Sequence, residues 1–221
     1  MKKLNQQETI QILEKFSEKF GRNKDKVIKR YLKHKTIPIP FFGGIDIGSP
    51  LPNFWCAQNK SEKEILDIYK SVVTFDIAKF KTNKKSNEPA MKYFLSLIKK
   101  FFIKENIKSM YAVGNWINRD LAKHAVNFSI NDFPENIIKT TIFDNYMFPE
   151  NLEWVLASTH ENFYFLAGKK SFINKFKKIY KDYKKYSIDM NYVIVNKKLN
   201  TWIRIICSYY EPIFLLISIE S

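Results

Sequence analysis

Apolar residues recur at helical spacing at the start of the chain. Ile12, Leu13, Phe16 and Phe20 fall on one face, and Gly21 is placed to end that helix. Val27, Ile28, Tyr31 and Leu32 repeat the pattern, so residues 1–35 are expected to be helical. The period then breaks: residues 36–56, TIPIPFFGGIDIGSPLPNFWC, hold four prolines and three glycines and read as a loop. Ser61 and Glu64 have the spacing of a capping box and open a short helix, SEKEILDIYK. Residues 71–80, SVVTFDIAKF, start β-branched and alternate, which predicts a strand.

The longest helix is predicted to start at Asn87, or at Glu88 ahead of Pro89, and to run through PAMKYFLSLIKKFFIKEN. Its stripe is Tyr93, Phe94, Leu97, Ile98, Phe101 and Phe102, with lysines opposite. SMYAVG reads as a strand and NRDLAKHAVNF as a short helix carrying His124. NIIKTTIFDN, LEWVLAS and NFYFLAG read as strands, and SFINKFKKIYKDYKKY as a second long helix. TWIRIICSYY and PIFLLISIE close the chain as two more strands. Strands joined by short turns pair antiparallel. The expected fold is therefore α+β, in a single domain spanning residues 1–221. A mostly antiparallel sheet is packed by two long amphipathic helices, with an N-terminal helical extension over residues 1–35.

Composition narrows the class. Hydrophobic residues make up 45% and aromatics 16%, enough for a globular core. Cys56 and Cys207 are too few for a disulfide framework. No apolar stretch follows Lys2 and Lys3, so no signal peptide is expected. The longest apolar run, IFLLISI, is far short of the ~20 residues that span a bilayer, so the protein is expected to be soluble and cytoplasmic.

The formal charge is +15, from 33 lysines and only four arginines among the basic residues. Phosphate and guanine recognition favours the planar fork of arginine. A lysine excess accompanied by many Asn, Ile, Phe and Tyr residues also follows from AT-rich codons, so charge is a weak clue to a polyanion. Residues 169–185 concentrate it, with eight lysines against Asp182. This pattern can lie on an anionic membrane or track a phosphate backbone, and Lys175, Lys177, Lys178 and Lys181 are the candidate contacts. In the alternative, Phe172, Ile173, Phe176, Ile179, Tyr180 and Tyr183 pack on the sheet and the lysines form a solvated face.

The stretch LASTHENFYFLAG, residues 156–168, holds the other candidate chemistry, His160 and Glu161. Metalloprotease zinc sites use H-E-x-x-H on a helix, and here the second histidine is replaced by Tyr164 between strand-like flanks. A hairpin with T-H-E-N at its tip fits better, leaving His160 and Glu161 available for recognition. His34, His124 and His160 are widely separated and no C-x-x-C occurs, so no structural metal is expected. FFGGIDIGSP lacks the Gly-Lys-Ser/Thr ending of a phosphate loop, and no cofactor is expected. The pairs Asp132 with Glu135, and Glu150 with Glu153, have no partner base that marks a cleft.

The residues Trp154, Thr159, His160, Glu161 and Gly168 resemble a hairpin of small bacterial immunity-type proteins. Such proteins are cytoplasmic partners that neutralise a toxin delivered between competing cells. The resemblance implies a non-enzymatic protein that binds a toxin domain. One departure matters: immunity proteins against nucleases are often acidic, whereas this chain is strongly basic and would need an acidic partner surface. Two other expectations stand beside this one. One is a basic nucleic-acid-binding accessory protein of a mobile element. The other is an enzyme whose site is assembled from scattered residues such as His124 or His160.

Overall fold

The computed structural model describes residues 1–37, 68–76, 88–116, 120–133, 141–158 and 163–188. Helix α1, Gln6–Lys19, begins at a capping box that the sequence reading missed. The Asn5 side chain accepts from the Glu8 N–H at 2.8 Å, and the Glu8 carboxylate accepts from the Asn5 N–H at 2.7 Å. It ends at Gly21, whose φ of +61° is the left-handed conformation that glycine adopts without penalty. Helix α2, Lys24–His34, is capped by Asn23, which accepts from the Lys26 N–H at 3.0 Å.

The strands are β1, Lys2–Lys3; β2, Ser71–Asp76; β3, Ser109–Trp116; β4, Val126–Ser129; β5, Thr141–Phe148; β6, Trp154–Ser158; β7, Phe163–Gly168; and β8, Ser187–Ile188. They form one sheet in the order β1-β4-β3-β5-β6-β7-β2-β8, and every described pairing is antiparallel. The fold is α+β. Among the described residues the outermost strands are β1 and β8, and β1 is a pair of lysines, which disfavours edge-to-edge association on its side.

Both faces of the sheet are covered. Helix α3, Glu88–Lys104, and helix α4, Lys170–Ile179, bury Phe94, Ile98, Phe101, Phe102, Ile173 and Phe176 against Phe75, Met110, Trp154 and Leu166. On the opposite face α1 and α2 bury Leu13, Phe16, Val27 and Tyr31 against Val113, Phe148, Val155 and Phe165. The N-terminal helices are thus a full layer packed on the sheet, not an appendage to it. The reason is visible in β6 and β7. A strand buried on one face alternates apolar with polar residues, whereas WVLAS is buried at every position.

Two further expectations are corrected. The described part of the helix expected over 118–128, from Asp120 on, is not an α-helix: a 3-10 turn at Leu121–Lys123 leads into β4, whose Val126 and Phe128 pair with Ala112 and Met110. Long-range pairing there outweighs the local helix formers of DLAKHA. The second long helix stops at Ile179, followed by a turn and the four-residue helix α5, Tyr183–Tyr186. Its break lets the chain turn back, so that Ser187 and Ile188 pair with Phe75 and Thr74. The 61–67 part of the predicted SEKEILDIYK helix, most of the 36–56 loop and the C-terminal strands lie outside the described residues.

Candidate functional site

The β6–β7 hairpin occupies the middle of the sheet. Trp154 pairs with Gly168 and Ser158 with Tyr164, so the connection that carries His160 and Glu161 leaves from the Ser158 end. Residues 159–162 themselves lie outside the described residues. Antiparallel pairing brings four other strand ends to the same side: Asp76 opposite Phe163, and Trp116 opposite Thr141. The connections after β2, β3 and β6 and before β5 all depart from this one end of the sheet.

Just beneath that end runs a row of buried polar side chains. Asn145 pairs with Ser158 and Ser158 with Tyr164. All three are buried. Alternation places them on the α3 face, because Leu156 and Leu166 face α3 while Ala157 and Phe165 face α1. The Phe94 ring lies 5.0 Å from that of Tyr164 and closes the row from above. The Tyr164 phenol and the Ser158 side chain are register partners on this face. With an amide, a hydroxyl and a phenol, the row carries no charge.

Burial pushes the Tyr164 phenol above its ordinary value near 10, with the Ser158 side chain opposing the shift. Burial raises Tyr69 as well, and its hydroxyl has no hydrogen-bond partner among the described residues. Unfolded tyrosines lose their protons near 10 while these two keep theirs in the folded state. Their contribution is therefore intact below pH 10 and falls as pH rises through and beyond that value. Unfolding midpoints recorded against pH are expected to drop on this alkaline limb. Tyr69→Phe combined with Tyr164→Phe is expected to make the drop shallower.

Trp154 and Gly168 have a packing explanation. A Cβ on Gly168 would sit 3.0 Å from Phe172 Cδ1 and 3.2 Å from Trp154 Cβ. Glycine leaves room there for the Trp154 and Phe172 rings, which stack at 6.0 Å; a larger residue would require them to shift by a few tenths of an ångström. The two described members of the hairpin motif are thus core residues.

The lysines of α4 are divided by helical phase. Ile173 and Phe176 are buried, with Phe172 half-buried beside them. Lys175 reaches Glu105 at 2.7 Å, and the Lys177 ammonium lies 5.3 Å from the Tyr183 ring centroid. Lys178 is exposed on the outer side of the helix, and Lys181 is exposed in the turn that follows. Basic charge is not confined to this helix: residues 1–37, on the other layer, carry eleven Lys and Arg against four acids.

His124 pins the N-terminal segment to the sheet. Its Nδ1 lies 2.8 Å from the Leu4 carbonyl, which only accepts, so that nitrogen bears the proton. The Leu4 N–H in turn donates to the Ala125 carbonyl at 2.9 Å. His34 is exposed at the end of α2. Glu150 is held by Lys15 at 2.9 Å, and Glu153 by Lys169, whose hydrogen bond keeps that carboxyl below its usual range. These carboxylates brace turns. Lys15 and Glu150 also border an open depression with Glu18, Lys19 and residues 149–152, which has no enclosed interior. Among the described residues no three His, Cys, Asp or Glu side chains are grouped as metal ligands, and no helix is long and apolar enough to cross a membrane. Cys56, Cys207 and Glu135 lie outside the described residues.

No protein-family model, curated protein or solved structure matches the chain.

Proposed function

We propose that the chain is a non-enzymatic binding protein of the immunity type. It occludes a protein partner, a toxin domain in the simplest case, with the end of the sheet from which the β6–β7 connection leaves. His160 and Glu161 are its contact residues. The observation that carries this reading is the gathering of strand ends Asp76, Trp116, Thr141, Ser158 and Phe163 on one side of a sheet buried on both faces. Connections held on a rigid scaffold are where proteins place recognition residues. The burial of the β6 and β7 strands on both faces supports this reading, because a stiff base lowers the ordering cost of binding. A chain of net charge +15 suits a partner whose contact surface is acidic.

Affinity purification of the tagged chain from its host, with and without nuclease, tests the proposal. A stoichiometric protein partner that survives nuclease and re-forms a saturable complex from purified components is the expected result. His160→Ala with Glu161→Ala is expected to weaken that complex about 10-fold or more while leaving the unfolding midpoint unchanged. Recovery of nucleic acid alone, with affinity falling steeply in salt and lost when Lys175, Lys177, Lys178 and Lys181 are reversed to Glu, would sink it in favour of a nucleic-acid-binding role.

A further inference from the structure

The outer side of the α3 and α4 layer combines two properties. It is cationic with little opposing charge, and it exposes large apolar side chains. Helices α3 and α4 lie side by side in opposite directions. Phe94 meets Tyr164 near one end of the strands and Phe102 meets Trp154 near the other, while α4 places Phe172 by Trp154 and Phe176 by Phe75. The rings of Phe101, Phe172 and Phe176 interlock between the helices at 4.9 and 5.2 Å. Two helices laid along a sheet present a broad surface, not a groove.

Opposite the buried stripe, α3 exposes Tyr93 (52%) and Ile103 (54%) with Lys100 and Lys104; α4 exposes Lys178 on its outer side, with Ile179 (39%) and Lys170 on its two flanks. Lys181 follows in the next turn. These three are most of the large apolar residues the described chain exposes, the others being Met1 and Leu32. Glu105 beside them is already neutralised by Lys175, and Asp182 is an exposed acid in the turn after α4. On the other layer Glu8, Glu14, Glu18 and Asp25 are interspersed among the lysines.

We propose that this face docks on an anionic lipid bilayer. Lysine stems lie along apolar surface while their ammonium groups reach lipid headgroups, and isoleucine and tyrosine enter the interface between them. A nucleic acid offers the isoleucines nothing to bury against. Neither α3 nor α4 contains an arginine, the residue suited to gripping individual phosphates. A diffuse negative surface asks only for positive charge at close range.

The purified full chain is sedimented with vesicles of phosphatidylcholine alone and of phosphatidylcholine with phosphatidylserine, at physiological salt. Binding to the second kind only is expected. Reversal of Lys100, Lys104, Lys178 and Lys181 to Glu is expected to lower partitioning about 100-fold or more, and their exchange for Gln by a smaller factor in the same direction. Ile103→Asn with Ile179→Asn is expected to lower it about 10-fold and to leave binding to a DNA duplex unchanged. All of these positions are exposed, and circular dichroism with unfolding midpoints verifies that the variants fold. Equal binding to both kinds of vesicle, no binding to either, or full binding by the lysine-reversed chain overturns the proposal. So does a duplex that displaces the vesicles while the two asparagines have no effect.

Discussion

Phe101→Ala is expected to lower the unfolding free energy by about 3–5 kcal/mol, the range for deleting a large side chain from a closed core. Phe101 is completely buried, and its ring meets those of Phe102, Phe172 and Phe176 at 5.9, 4.9 and 5.2 Å. It is the point at which α3 and α4 touch each other as well as the sheet. Aromatic neighbours on several sides cannot all collapse into the space, so the cavity term adds to the lost transfer energy. Edge and tilted contacts with three rings add to the loss. Phe101→Leu keeps most of the volume and is expected to cost about 1–2 kcal/mol. Urea unfolding followed by far-UV circular dichroism separates the two. A cost for alanine no larger than that for leucine would mean that the α3 and α4 layer is not packed as described.

Phe16→Ala is expected to cost about as much, roughly 3–5 kcal/mol, although it lies in the N-terminal helices. Its ring stands edge-on to Phe148 of the sheet at 4.2 Å and stacks on Phe20 at 6.0 Å. The expected signature is a single unfolding transition that shifts as a whole. If residues 1–35 were an appendage, the same substitution would remove helical signal at low urea and leave the sheet's midpoint in place. Deletion of residues 1–35 sharpens the contrast. It uncovers Val113, Phe148, Val155, Ala157, Phe165 and Ala167, one whole side of the sheet. An apolar surface of that extent is a liability for aggregation. The deleted chain is expected to be insoluble.

Helices α1, α2 and α3 and strands β2, β3, β6 and β7 are readable from periodicity because each depends on residues a few places apart. Strand β4 is not, since Val126 and Phe128 give only one alternation and adjoin helix formers; β3 is what makes it a strand. The end of α4 at Ile179 carries no glycine or proline to announce it. The covering of both sheet faces did leave a signal, the unbroken apolar runs WVLA and FYFLA, which a strand solvated on one side does not need.

The candidate site divides in the same way. That residues 154–168 form a hairpin follows from two strand-like runs flanking T-H-E-N. That its polar end belongs to a row shared with Asn145 does not, because the row crosses three strands and Asn145 is distant in the chain. Residues 169–185 count as one basic cluster in a tally of lysines. Helical phase then sends Lys178 outward, turns Lys177 towards Tyr183 and commits Lys175 to Glu105.

Local order and overall charge were therefore legible along the chain, since helix and strand periods are properties of backbone geometry over a few residues. Strand order, the partner of each apolar face and the gathering of strand ends at one side are different in kind. They depend on which distant surfaces exclude water from each other. Burial is non-directional and settles only when the layers meet. Phe16 against Phe148 and Tyr164 against Ser158 exist only in the assembled layers.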